Sequence, residues 1–164
     1  MLEIKLYGEG ILRKKSKGVD KLTGAIKRLA GDMIETMKNS LGVGLAAPQI
    51  GKSLRMAVLY HPEFHPKPLT LINPVILDRA AELASLEEGC LSLPKLNVPV
   101  ARPRAVFVRY MDLKGNVLER EFLDLLSRIV QHELDHLDGR MIVDHMDLES
   151  RLRFEAQLKQ HSRQ

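Results

Sequence analysis

The sequence predicts helices and small antiparallel sheets kept in separate stretches of the chain, not alternating β-α-β units. Short apolar, β-branched runs ("LRMAVLY", "LTLINPVIL", "AVFVRYMD", "VLEREFL") follow one another between glycine and proline punctuation. Helix-period segments lie outside that block, in "AIKRLAGDMIETMKNS", "DLLSRIVQHELDHLD" and "DLESRLRFEAQLKQ". No linker, repeat or shift in composition divides the 164 residues, so one domain spanning 1–164 is expected.

Taken in order, an irregular N-terminal segment leads to a helix over roughly residues 24–39. Ile26, Leu29, Met33, Ile34 and Met37 recur at helical spacing there, and Thr23 suits the N-cap. Next comes "GVGLAAPQIG", where Gly42, Gly44 and Ala47 fit G-x-G-x-x-A. That fingerprint binds a dinucleotide only when a strand enters and a helix leaves. Here a helix enters, and Pro48 breaks any helix on exit. Further on, "LKGN" reads as the turn of a hairpin between the last two strands. His61 and His65, in "YHPEFHPKPLT", read as surface loop residues and not as ligands.

Composition narrows the class. Hydrophobic residues make up 45% and charged residues 28%, the proportions of a globular domain. The start has no secretory pattern and no segment reaches membrane-span length, so no membrane partner is expected. A single cysteine, Cys90, forms no internal disulfide and suits a reducing compartment. The expected setting is cytoplasmic, in a bacterium or in a mature organellar form. A net charge of +4 is mildly basic and gives no expectation of a DNA partner.

The strongest chemical signal is "QHELDH", residues 131–136. His132 and His136 are four apart, so both imidazoles leave one helix face and can grip one cation. Glu133, one position on, stands where it can move protons on water near that cation. At about 100° per residue, Leu125, Ile129 and His136 cluster around His132. Glu133, Leu126, Leu137, Val130 and Leu134 fill the next arc. Ser127, Asp138, Gln131, Asp135 and Arg128 occupy the remainder, which reads as the wet side. Two buried histidines and a buried carboxylate need partners, and a shared metal satisfies all three.

A catalytic metal site usually has three protein ligands and an open position. The extended pattern H-E-x-x-H-x-x-G-x-x-H fails, because Ile142 occupies the third histidine position and His145 comes three residues late. The third ligand is therefore a downstream glutamate, Glu149 or Glu155, or else Cys90 in "EEGCLSLP". Composition alone does not choose.

Three motifs stand in one order: "GVGLAAPQ", "EGCLS" and "QHELDH". Together they resemble the signature motifs of bacterial-type peptide deformylases. The likeness extends through "GEGILRKKSKGV", "MIETMKNSLGVGLAAPQIG", "LINPVIL" and "VARPRAVFVRYMDLKGN" to nearly the whole chain. The resemblance implies an α+β fold in which small antiparallel sheets surround a central helix carrying HExxH, with an N-terminal and a C-terminal helix. It implies a hydrolase that removes the formyl group from N-formylmethionine on newly made polypeptides and releases formate. Carried over by position, Cys90, His132 and His136 would hold the metal and Glu133 would be the general acid/base. Gln49 and the backbone N–H of Leu91 would hold the carbonyl oxygen. Val43, Gly44 and Gly89 would line the substrate channel. The implied cofactor is one divalent metal per chain, ferrous iron before nickel, cobalt or zinc.

On that reading an ionised Cys90 and two neutral imidazoles leave the metal cationic. Metal-bound hydroxide attacks the formyl carbon, with Glu133 taking and returning the proton. Gly42 and Gly44 are expected to let the backbone approach a substrate strand where a Cβ would obstruct.

The chain departs from the family pattern at Asp124, usually glycine, and Ser127, usually alanine. Asp124 is expected to act as an N-cap, with loss of a glycine's backbone freedom, and Ser127 to sit harmlessly on the polar arc. The tail carries Arg151, Arg153, Lys159 and Arg163, which suggests weak salt-dependent contact with ribosomal RNA. Two rival readings remain: a metalloprotease using Glu149 or Glu155, and a non-enzymatic binding module with a structural metal. Closed structural sites need four ligands, and Glu133 beside the histidines argues against the second rival.

Overall fold

A computed structural model describes residues 1–63 and 65–161, with side chains in the last helix described as far as Ala156. The architecture is α+β. Helix α1 (Gly24–Asn39) precedes strands β1 (Gly44–Ala46) and β2 (Met56–Leu59). Strands β3 (Leu69–Arg79), β4 (Leu83–Cys90), β5 (Leu93–Pro103), β6 (Ala105–Met111) and β7 (Val117–Leu123) follow. Helices α2 (Asp124–Leu137) and α3 (Leu148–His161) close the chain. Among the described residues no helix is long and apolar enough to cross a membrane.

Five strands form one antiparallel sheet in the order β1-β2-β3-β6-β7, and β4 and β5 form a separate hairpin. The β6–β7 hairpin turns where "LKGN" predicts it. Asp112 accepts the N–H groups of Lys114 and Asn116, while Gly115 takes φ +91°. Pro74 sits in β3 where the pairing with β6 breaks register, the place a strand tolerates a missing donor. Asn73, just before it, is left-handed and ties both backbone polar groups of Val19 through its side chain.

Apolar burial holds α2 against the larger sheet. Leu126, Ile129, Val130 and Leu134 pack on Leu59, Leu71, Val106, Val108 and Phe122. A second cluster joins Ala30, Met33 and Met37 of α1 to Leu45, Met56 and Val58. Thr23 caps α1 as expected, accepting the Ile26 N–H at 3.3 Å.

Two expectations about α2 are corrected. Asp124 is not the N-cap: Leu123 is, and Asp124 is the first helical residue with φ +46°. Its carboxylate turns away to Arg104. That left-handed backbone is what a glycine would supply at no steric cost. Nor is the polar arc wet apart from Asp138, its one exposed residue. Ser127 is 0% exposed, and Arg128 and Gln131 are buried with it. Ser127 donates to the Pro103 carbonyl, Gln131 donates to that same oxygen, and Arg128 donates to the carbonyls of Val100 and Ala84.

Candidate metal centre

Two elements bring the expected ligands together. Cys90 ends β4, and Leu91 and Ser92 turn the chain into β5. His132 and His136 project from one face of α2. Cys90 Sγ lies 3.2 Å from His136 Nε2, which lies 3.2 Å from His132 Nε2. Donors bonded to one first-row divalent ion stand about 3.3–3.8 Å apart, so these three atoms need only a slight spreading to share one. Among the described residues this is the cluster whose donor atoms converge in that way. Glu149 and Glu155 pair instead with Arg153 and Arg151. His145 bonds Asp135, and His65 bonds the Lys67 carbonyl.

Behind the ligands stands a carboxylate that the sequence reading did not single out. Glu88 is buried and accepts from His132 Nδ1 at 3.0 Å. It also accepts from Arg102 at 2.6 and 2.9 Å and from Arg128 at 2.7 Å. Burial works to raise its pKa, yet the bonds from His132 and Arg102 hold it down at about 2. When the His132 ring is neutral, the Glu88 contact holds its proton on Nδ1 and leaves the Nε2 lone pair for an ion, facing His136. Two periodicities could have found this network. Glu88 and Cys90 share a strand face at i, i+2, while Arg128, His132 and His136 share a helix face at i, i+4.

Burial opposes charge on His132, but contact with the Cys90 sulfur and Glu88 raises its pKa to about 10. His136, deeply buried and next to His132, is held well below the usual imidazole value. One sulfur and two imidazole nitrogens converging within 4.8 Å of one another are a donor set that a divalent cation takes. The residues fit one.

Glu133 is 3% exposed, and its Oε2 has no hydrogen-bond partner among the described residues. Burial raises its pKa to about 7, with the His132 charge opposing and Glu88 reinforcing. The room it occupies comes from Gly44. A Cβ there would lie 2.1 Å from Glu133 Oε1, and one on Gly42 would lie 2.8 Å from a Leu91 methyl. Both glycines therefore also make room for neighbouring side chains of the same chain.

Gln49 lies in a single 3₁₀ turn, Ala47–Ile50, with Pro48 tolerated in its first turn. Its Oε1 accepts the Ala46 N–H at 2.8 Å, which turns its amide N–H₂ toward Ser92 Oγ (3.2 Å) and Cys90 Sγ (3.6 Å). An open cleft of about 430 Å³ runs past these groups, lined among others by Val43, Gly44, Gly89, Leu91 and Glu133. β1 is an edge strand with only β2 beside it, so its outer backbone is available to an extended ligand.

Comparison with known proteins gives one answer. The sequence model of the family described as polypeptide deformylase matches residues 1–152. A peptide deformylase of Dictyoglomus thermophilum is 46% identical over 142 residues, covering 87% of this chain and 90% of that one. The crystal structure of the peptide deformylase from Thermus thermophilus is 41% identical with a TM-score of 0.90, covering 99% of this chain and 96% of that one. The Met-Ala-Ser-bound structure of the class I type b peptide deformylase from Acinetobacter baumannii is 34% identical with a TM-score of 0.84. It covers 89% of this chain and 98% of that one.

Proposed function

The chain belongs to the polypeptide deformylase family, and from that premise we propose which residues do its work. The activity is metal-dependent hydrolysis of the formyl group on N-formylmethionine peptides, releasing formate. In our reading Cys90, His132 and His136 hold the metal and Glu133 is the general acid/base. A divalent ion there supplies Lewis acidity and brings the pKa of water from 15.7 toward about 7. Glu133 takes a proton from the attacking water and returns it to the leaving nitrogen, a role suited to a buried carboxylate whose Oε2 has no hydrogen-bond partner among the described residues. The Gln49 amide and the Leu91 N–H donate to the carbonyl oxygen as negative charge develops on it. Val43 and Gly44 pair through their backbones with an extended peptide, and Gly89 lines the facing wall. That a relative binds Met-Ala-Ser supports a peptide lying in this cleft.

The observation that carries this reading is the convergence of one sulfur and two Nε2 atoms beside a buried glutamate. It disfavours the metalloprotease alternative, whose glutamates are engaged elsewhere. The test is elemental analysis and formate release from formyl-Met-Ala-Ser by anaerobically prepared protein. Cys90→Ala is expected to lose metal and activity, and Glu149→Ala and Glu155→Ala to keep both. The opposite pattern would overturn the ligand assignment.

The same proposal includes ferrous iron as the working metal, with nickel, cobalt or zinc as substitutes. It also takes in a cytoplasmic setting and a single catalytic domain over 1–164. Weak contact with ribosomal RNA would use Arg151 and Arg153 of α3, each of which already has a carboxylate neighbour. The side chain of Lys159, and Arg163 altogether, lie outside the described residues.

A further inference from the structure

Helix α1 ends in a way that its own stability does not explain. The Leu41 N–H bonds the Lys38 carbonyl at 3.0 Å and the Gly42 N–H bonds the Met37 carbonyl at 2.9 Å. This pair is a Schellman cap, in which the first residue past the cap is left-handed and usually glycine. Helix α2 ends with the same pair, Gly139 to His136 and Arg140 to Asp135, and there Gly139 takes the left-handed place at φ +75°. At the end of α1 that place is held by Leu41, at φ +56°. Left-handed backbone is strained for an L-residue, because its Cβ crowds the following carbonyl oxygen. Asn73, left-handed too, ties down Val19 with its side chain, whereas Leu41 is 93% exposed and packs on nothing that would offset the strain.

What Leu41 does have is position. It stands on the rim of the metal cleft, beside Val43, which is also exposed, and near Leu91 on the facing hairpin. A strained, exposed apolar side chain at the mouth of a working cleft points to a ligand contact and not to a folding role. We infer that Leu41 is a specificity residue that covers an apolar side chain of the substrate peptide downstream of formyl-methionine. This inference rests on the proposed pairing of the peptide with the β1 edge. Gly44 abuts Glu133, and the three-residue step back to Leu41 passes a bend at Val43 and ends in the left-handed cap, so it spans at most about 10 Å. An extended peptide running from the formyl group covers that distance by its third or fourth residue.

The experiment walks a single leucine through positions two, three and four of formyl-Met-Ser-Ser-Ser amide. It compares the wild-type protein with Leu41→Gly and Leu41→Met. The wild type is expected to favour leucine at position three or four about five-fold in kcat/KM, expressed in KM. Leu41→Met retains that ratio and Leu41→Gly brings it to about one, while Leu41→Gly melts no lower than wild type because glycine suits the cap. An unchanged ratio in Leu41→Gly, no preference in the wild type, or a lower melting temperature for Leu41→Gly would each overturn the inference. Failure of the wild type to release formate even from the all-serine peptide would instead tell against the site assignment beneath it.

Discussion

Gly44→Ala offers the sharpest test of how the site is assembled. The added methyl would meet Glu133 Oε1 at 2.1 Å, its carboxyl carbon at 2.7 Å and its Cγ at 3.0 Å. Ordinary contact begins near 3.4 Å, so the carboxylate must retreat by about 1.3 Å. Glu133 is enclosed, and forcing an extra methyl into a packed site costs about 1–3 kcal/mol. A displacement on the order of 1 Å in a reacting group costs about a hundred-fold in rate. The variant should therefore bind metal normally through Cys90, His132 and His136, melt a few degrees lower, and show kcat reduced about a hundred-fold. Formate release, elemental analysis and thermal melting read the three quantities. The stability loss should largely vanish when Gly44→Ala is placed in a Glu133→Ala background, where the clash has no second partner. Activity within three-fold of wild type, or an equal stability loss in both backgrounds, would refute the claim that Gly44 exists to clear Glu133.

Other outcomes follow from the same geometry. Gln49→Ala removes an oxyanion donor and should lower kcat by about 3–4 kcal/mol, or 10²–10³-fold. A drop below ten-fold would remove Gln49 from the proposed machinery. Glu88 has a folded pKa of about 2 against an ordinary 4.5. It therefore contributes stability that is full above about 4.5 and lost as pH falls toward 2, about 3 kcal/mol in all. Urea titrations of chelator-treated protein between those pH values should show that acid limb, and Glu88→Gln should flatten it; identical limbs would sink the assignment. Asp124→Gly removes a left-handed aspartate at the expense of a half-exposed pair with Arg104. Strain relief of about 1 kcal/mol outweighs an ion pair of that kind, so the melting temperature should rise. A fall would mean that the Arg104 contact matters more than the backbone.

Local rules served well wherever a residue's neighbours are close in sequence. Thr23 caps three residues on, Asp112 closes a five-residue turn, and the two histidines repeat at one helical turn. They misled where a side chain is satisfied by distant backbone. Ser127, Gln131 and Arg128 look like a solvated arc until the carbonyls of Pro103, Val100 and Ala84 are brought beside them by β4 and β5. The extended run through Leu83–Cys90 also escaped notice as a strand, because its burial follows a hairpin partner and not an apolar alternation. Glu88 was missed with it, since a charged residue in a strand advertises nothing until two arginines and an imidazole surround it.

Cys90 closes the hairpin, whereas the two imidazoles ride on the helix that seats the larger sheet. Any ion they share would therefore add a clasp between two sheets already tied through Arg128, Ser127 and Gln131, shutting a loop of some forty residues. Chelation should then do more than stop the reaction. It should let the hairpin breathe, so that faster amide exchange along β4 and β5 would register the loss of the ion even where no substrate is present.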